Sequence, residues 1–274
     1  MSGTLFVVGT PIGNLGDFSP RAIETLEGCD FIAAEDTRVT LKLLNHFGIR
    51  KPLVSYYEHN RRERGQEIVS RILSGESCAV VTDAGMPAIS DPGEDLVKLC
   101  HAHGIKVSAV PGPCAFATAL AISGMTAGRF TFEGFLSVSK QSRRTHLQEV
   151  KDERRTMIFY EAPHKLCATL RDMYAVFGER NIAIVREITK IYEEVIRTTF
   201  SEALARFAQQ PPKGEIVLII EGAPEAEQTQ VTLEDAVEQA KAMLSDGSSA
   251  SDAAKVVAKQ YGFKKGDIYK ALVQ

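Results

Sequence analysis

Apolar residues fall along this chain in two alternating rhythms. Four short runs rich in β-branched and aliphatic residues, Leu5 to Gly9, Phe31 to Glu35, Ala79 to Asp83 and Lys106 to Val110, are each followed by a turn and a longer stretch with apolar positions at helical spacing. Strand, turn and helix in series predict a parallel, doubly wound α/β sheet, because each parallel strand needs a crossover along one face. Ser19 and Pro20 supply an N-cap and a first helical position before Arg21 to Leu26, and Gly48 supplies the ending of a helix begun near Thr37.

From about Arg129 the rhythm changes. Phe130 to Phe135, Thr156 to Tyr160, Ile182 to Arg186, Tyr192 to Phe200 and Glu215 to Ile220 read as strands, with only two or three helical stretches between them, which predicts a second domain built on a mixed sheet. The boundary is expected in the helical segment Cys114 to Ile122 and the turn Gly124 to Gly128 that follows it. Ala223 to Gln230 reads as a polar linker. Beyond it, Thr232 with Asp235 and Ser249 with Asp252 are capping-box pairs opening helices. In the second of these, Ala250, Ala254, Val257, Ala258 and Tyr261 share a face, and Gly262 ends the helix before a shorter one, Gly266 to Val273. The expected organisation is an N-terminal α/β domain over 1–116, a C-terminal α/β domain over 117–223 and a helix-turn-helix-like extension over 224–274, whose helices could face RNA or act as a structural cap.

Composition narrows the class. Of the 274 residues, 44% are apolar, enough for a substantial core, yet no run approaches the roughly 18 apolar residues of a membrane span. The start Met1-Ser-Gly-Thr-Leu-Phe-Val-Val lacks the basic flank of a signal peptide, so a cytoplasmic protein that does not enter a membrane is expected. Cys29, Cys78, Cys100, Cys114 and Cys167 are odd in number and form no C-x-x-C pair, which predicts buried free thiols. A net charge of -3 argues against a protein that coats nucleic acid nonspecifically. Basic residues do cluster, in Lys140, Arg143, Arg144, Lys151, Arg154 and Arg155 and again in Lys255, Lys259, Lys264, Lys265 and Lys270. Either run fits a solvated helix face or an RNA contact. His101 and His103 are expected at an exposed helix end and, with His164, show no spacing that suggests a metal.

The candidate chemistry sits in turns. Gly9-Thr-Pro-Ile-Gly13, Asp83-Ala-Gly-Met-Pro87 and Pro111-Gly-Pro-Cys114 each follow a predicted strand and emerge at one sheet edge, where open α/β sheets bind ligands. Glu35 and Asp36 end the second strand where a dehydrogenase would hold a ribose. The glycine fingerprint of such an enzyme is absent after the first strand, however, and no phosphate-binding P-loop occurs. Glu35, Asp36 and Arg38 place charge directly after an apolar strand, which is costly unless the group is paired or faces a cleft; a structural Asp36–Arg38 ion pair is one such arrangement.

Read together, Thr10-Pro-Ile-Gly-Asn-Leu15, Ala34-Glu-Asp-Thr-Arg38, Asp83-Ala-Gly-Met-Pro-Ala-Ile-Ser-Asp-Pro-Gly93, Pro111-Gly-Pro-Cys114, Phe159-Tyr-Glu-Ala-Pro-His164, Arg186-Glu-Ile-Thr-Lys190 and Lys213-Gly-Glu-Ile-Val217 resemble the 16S ribosomal RNA ribose methyltransferases of the tetrapyrrole methylase superfamily. The resemblance runs from about Leu5 to Gly222, and the helical extension is also similar. It implies two α/β domains with S-adenosylmethionine held in the cleft between them, and 2'-O-methylation of a decoding-centre cytidine within the small ribosomal subunit by a homodimer. Alternatives are methylation of a tetrapyrrole or similar small molecule on the same fold, or a noncatalytic ribosome-assembly factor. The matching positions imply a cofactor site of Pro11, Ile12, Asp83, Gly85, Met86, Ile89, Gly112 and Pro113, closed by Tyr160, Glu161 and Gly214. A ribose hydroxyl must shed its proton as the methyl arrives, so Asp36 or Glu35 is expected as the base, with Arg38, Arg186 and Lys190 as electrostatic partners.

Overall fold

The computed structural model describes residues 2–210, 212–225, 232–245 and 247–273. Positions 226–230 of the expected linker lie outside them. The described chain forms two compact units, Met1–Ala223 and Pro224–Gln274.

The first unit contains two five-stranded sheets. In chain order the first half runs β1 (Thr4–Val8), α1 (Pro20–Gly28), β2 (Phe31–Ala34), α2 (Thr37–His46), β3 (Leu53–Ser55), α3 (Arg61–Leu73), β4 (Cys78–Val81), α4 (Glu94–Ala102) and β5 (Lys106–Val110). The strands lie in the order β3-β2-β4-β1-β5, all parallel. β2 and β4 are buried along their whole length, as a sheet covered by helices on both faces requires. Ser19 caps α1 by accepting from the Ala22 N–H, with Pro20 in the first turn. α2 ends at Gly48, whose φ of +73° suits a residue without Cβ. The edge strand β3 is an addition to the four runs read from the sequence; at three residues it is too short to show a period.

The second half comprises α5 (Ala115–Ser123), β6 (Phe130–Phe135), α6 (Lys140–Glu149), β7 (Thr156–Glu161), α7 (Leu166–Phe177), β8 (Asn181–Arg186), β9 (Glu194–Thr199), α8 (Phe200–Gln209) and β10 (Ile216–Ile220). Its sheet is mixed, in the order β6-β7-β10-β8-β9, with only β6 and β7 parallel. One face packs Met157, Phe159, Ile184 and Leu218 under α6, α7 and α8. The other packs Ile158, Ala183, Val185 and Ile219 against Ala119 and Leu120 of α5 and against Ile12 from the loop after β1. Each such large apolar side chain contributes about 1.5–3 kcal/mol of burial, and the Ile12 contact ties the two sheets together. α5 thus packs on the second sheet, and both sheets lie within one compact unit; the expected boundary at 117 falls inside α5.

Part of the first basic run is structural. Arg143 is buried and donates to Asp172 at 2.6 Å, so its guanidinium is used within the fold, whereas Arg144 reaches the other oxygen of the same carboxylate at 2.8 Å through Nε and stays about half exposed. Cys29, Cys78 and Cys100 are buried thiols, and Cys114 and Cys167 are half-buried. His101 and His103 are exposed at the end of α4, and His164 is exposed in the turn before α7.

The second unit is a three-helix cluster of α9 (Leu233–Ser245), α10 (Ala250–Tyr261) and α11 (Lys265–Val273). Asp235 accepts from Thr232, and Ser249 accepts from the Asp252 N–H, so both capping pairs form. Its core is rich in alanine, with Ala236, Ala240, Ala253, Ala254 and Ala258 around Val257 and Ile268, which lets the helices approach closely. Lys255, Lys259, Lys264, Lys265 and Lys270 all remain exposed.

Candidate active site

The turns after β1, β4 and β5 meet at the carboxyl edge of the first sheet. Thr10 and Gly85 exchange backbone hydrogen bonds at 2.9 and 3.1 Å, and Gly9 donates to Val110 at 3.1 Å. The contact between the first and third turns is so close that a Cβ on Gly112 would lie 2.8 Å from Gly9 backbone atoms, while one on Gly9 would meet both Gly112 and the Met86 sulfur at 2.7 Å. Only glycine permits this approach. The second sheet presents the carboxyl ends of β6, β7 and β8 and the start of β10, and between the two edges lies a cleft of about 420 Å³, within the range of about 300–1,000 Å³ usual for small-molecule sites.

Of the cofactor residues expected from the sequence, Ile12, Asp83, Gly85, Met86, Ile89, Tyr160 and Glu161 line this cleft. Pro11, Gly112, Pro113 and Gly214 are not among its lining residues. Gly112 and Pro113 shape the turn behind the wall, with the Pro113 carbonyl 3.6 Å from where a Gly85 Cβ would sit. Gly214, at φ +83°, leaves room for the Glu187 carboxylate, which a Cβ would strike at 2.2 Å. Tyr160 lies edge-on to Phe132 and accepts from the Phe116 N–H at 3.1 Å, pinning the start of α5; burial pushes its hydroxyl up to about 12. Glu161 is buried and committed, accepting from the Ala162 N–H at 2.8 Å and from the Thr169 hydroxyl.

The charged group after β2 divides. Glu35 faces the cleft, and the turns after β2 and β4 are cross-linked: Asp83 N–H donates to Glu35 at 3.4 Å and Asp36 N–H to Asp83 at 3.1 Å. Burial raises the Glu35 and Asp83 carboxyls above their ordinary range, and the neighbouring negative charges add to this. Asp36 has a different job. It caps α2 by accepting from the Arg38 N–H at 2.8 Å and holds the guanidinium at 3.0 and 2.6 Å. The Arg38 side chain, then its N–H, hold this carboxyl down at about 2, which makes it a weak base. Neither Asp36 nor Arg38 lines the cleft, and the pair is the structural arrangement weighed for it from the sequence.

Arg186 and Lys190 also stand off the cleft. Arg186 bonds Glu194 at 2.9 Å and the Lys213 carbonyl at 3.0 Å. Lys190 bridges Glu187 at 3.0 Å and Glu215 at 3.1 Å; burial opposes its charge, but the two carboxylates outweigh that and raise its ammonium above the ordinary range. Through Glu215, which does line the cleft, Lys190 reaches its rim.

Asp91 escaped the sequence reading. It lines the cleft, and burial, then the charges of Glu35 and Asp83, push its carboxyl up to about 6. The signal was available as an acid inside the Asp83 to Gly93 motif, but the motif alone did not say which of its acids turns inward.

Among the described residues five carboxylates, Glu35, Asp83, Asp91, Glu161 and Glu215, line the cleft, and no Lys, Arg or His does. That donor set rejects a polyphosphate and suits a ligand carrying positive charge on an apolar body, since Ile12, Met86, Ile89, Val217 and Tyr160 supply flat and aliphatic walls. A sulfonium nucleoside fits this description: an adenine for the apolar walls, ribose hydroxyls for carboxylates, and sulfonium and ammonium for the acidic lining.

Residues 4–204 match the family model of Tetrapyrrole (Corrin/Porphyrin) Methylases. The chain belongs to the tetrapyrrole methylase family: it is a methyltransferase, and its cofactor is S-adenosylmethionine. Within the family it is similar to ribosomal RNA small subunit methyltransferase I of Synechocystis sp., with 44% identity over 97% of this chain and 96% of that protein. The protein of the same name from Halalkalibacterium halodurans is 47% identical over 97% of this chain and 93% of its own length. Among solved structures, the uroporphyrin-III C-methyl transferase of Thermus thermophilus complexed with S-adenosylhomocysteine shares the fold, with TM-score 0.56 and 15% identity over 79% of this chain and 96% of that one.

Proposed function

We propose that this protein transfers the methyl group of S-adenosylmethionine to the ribose 2'-hydroxyl of a decoding-centre cytidine in 16S ribosomal RNA, acting on the small ribosomal subunit. The observation that carries this reading is the similarity, at 44–47% identity along nearly the whole chain, to proteins named for small-subunit ribosomal RNA methylation. We further propose that it acts in the cytoplasm and as a homodimer, the expectation raised by the resemblance of its motifs.

The residues then take these parts. S-adenosylmethionine supplies an electrophilic methyl at its sulfonium. Ile12, Gly85, Met86, Ile89 and Tyr160 shape the walls for its adenosine and methionine, Pro11 stiffens the turn that carries Ile12, and the Gly112–Pro113 turn backs them. Asp83 and Asp91 offer negative charge to its ribose and cationic groups. Glu35, facing the cleft with a raised proton affinity, accepts the hydroxyl proton as the acceptor oxygen attacks; a base with a pKa brought toward the working pH is the more effective one. Asp36 and Arg38 fix the turn that presents Glu35. Lys190 and Arg186 hold the rim in place through Glu215, Glu187 and Glu194. Glu161 and Gly214 position the loops from the second sheet.

Labelled S-adenosylmethionine, small ribosomal subunits lacking this methyl group and the purified protein test the reading. A 2'-O-methyl blocks the internal nucleophile that cleaves RNA in alkali, so alkaline hydrolysis should leave one protected linkage, at a cytidine. Label on a base overturns the ribose assignment. Label only on an added tetrapyrrole overturns the RNA assignment.

A further inference from the structure

The cofactor cleft continues past its acidic wall. Glu35 and Asp91 also line a second depression of about 410 Å³, bounded by Tyr57 to Arg61 on one side and by the loop Ser90 to Asp95 on the other. An acceptor oxygen must come within about 3–3.5 Å of the methyl it receives, so the acceptor has to enter through a space contiguous with the donor cleft. This depression shares two side chains with it.

The two spaces differ in kind. The donor cleft is walled by aliphatic side chains and acids, whereas the second adds an exposed tyrosine ring, an imidazole and a guanidinium. Tyr57 is 40% exposed, and its ring stands edge-on to His59 with centroids 6.1 Å apart. The turn that carries both is fixed from beneath: Asn60 accepts from the Tyr57 N–H at 2.9 Å and donates to the Ser55 carbonyl at 3.0 Å. Arg61 spans the depression to Asp95 at 3.0 Å, joining its two walls. The opposite wall is strained. Ala88 and Ser90 hold φ of +68° and +66°, and Gly93 holds +138° with space for a Cβ only 3.1 Å from the Ala88 nitrogen. Such backbone persists where the surrounding fold over-determines it, and clusters at sites that handle ligands. Here it carries Asp91 into the partition between donor and acceptor.

We infer that this depression seats the target nucleotide of the RNA, with its base against Tyr57 and His59, its phosphate toward Arg61 and its ribose hydroxyl at the Glu35–Asp91 partition. This rests on the RNA reading given above. Unstacked bases are held on aromatic and imidazole faces and read along their edges, Arg recognises phosphate, and Glu58 beside the platform is the acceptor that the amino group of cytosine calls for. The carboxylates that dominate the rest of the lining disfavour a second phosphate, so one splayed-out nucleotide fits better than a continuous strand.

The test compares wild type, Tyr57→Ala and Tyr57→Phe on small ribosomal subunits lacking the methyl, with cofactor affinity measured in parallel by calorimetry. Removing a stacking ring should raise the KM for subunits about tenfold or more, leave the cofactor Kd within about twofold, and be largely reversed in Tyr57→Phe, which keeps the ring. Ultraviolet cross-linking of the wild type to subunits should join the target cytidine to the 57–61 segment, a readout that needs no variant to fold. A Tyr57→Ala KM equal to wild type, or a cross-link from the target nucleotide to another segment, overturns the proposal while the wild-type activity stands. A wild type that transfers no methyl to subunits overturns the RNA reading itself.

Discussion

Asp91 offers the sharpest quantitative test of the cleft. Its carboxyl rises from an ordinary 3.8 to about 6 through burial first and then through the charges of Glu35 and Asp83. At about 1.36 kcal/mol per tenfold change in proton affinity, the charged form costs the ligand-free fold up to about 3 kcal/mol, a ceiling because the group is partly open to solvent. The sign follows from the direction of the rise. A carboxyl whose folded pKa is raised contributes most below 3.8, and that contribution is lost as pH climbs through about 6. At pH 7.5 Asp91→Asn should therefore stabilise the cofactor-free protein, raising its Tm by several degrees. A cationic cofactor reverses the balance, because its positive charge favours the ionised carboxylate. Wild-type affinity should weaken as pH falls from 7.5 to 5, with net proton release on binding near pH 6. Asp91→Asn should lose about ten- to a hundredfold in affinity at pH 7.5 and show a flatter profile. Calorimetry in buffers of different ionisation enthalpy reads both the Kd and the protons. An Asp91→Asn protein that binds as tightly as wild type, with the same pH dependence, would refute the argument that the acidic lining recognises charge.

Glu35→Gln should lower the methyl-transfer rate about 10²-fold or more with cofactor affinity nearly intact, whereas Asp36→Asn, which removes a carboxylate held at about 2 and tied to Arg38, should lose less than tenfold; single-turnover transfer rates decide between them. Gly112→Ala forces a Cβ to 2.8 Å from the Gly9 backbone, so it should destabilise by about 1–3 kcal/mol and weaken cofactor binding together, seen as a lower Tm and a raised Kd. A chain ending at Ala223 loses the compact unit Pro224–Gln274 and its exposed lysines. It should bind cofactor as before but engage small subunits more weakly and with a shallower salt dependence; unchanged affinity and salt slope would make the helices a structural cap.

Much of this molecule was legible in one dimension because the information was local. The parallel strands of the first sheet are buried on both faces, so β2 and β4 stand out as unbroken apolar runs. Helix ends were written in Ser19, Pro20, Gly48 and Ser249, whose effects reach only three or four residues along the chain. The three Gly/Pro turns pointed to one sheet edge because parallel strands place all their carboxyl ends on the same side, and the cleft does open there. β3 was not among the runs, since three residues at a sheet edge carry no period of their own.

What the sequence by itself determined is thus the order of elements, the apolar faces, the caps and the turns that must stay free of side chains. It offered Asp36 or Glu35 as a base with Arg38, Arg186 and Lys190 as electrostatic partners, but charge in a sequence has no direction. Tertiary structure decided that Glu35 and Asp91 face the cleft, that Asp36 is used up by Arg38 and its helix cap, and that Arg186 and Lys190 are tied to acids on the second sheet. It also turned Arg143 from a candidate RNA contact into a buried partner of Asp172. The reason is the same in each case. A carboxylate's proton affinity and an arginine's freedom are set by neighbours within a few ångströms, and Asp91 lies 56 positions from Glu35 along a chain that the parallel pairing of β2 with β4 folds back on itself.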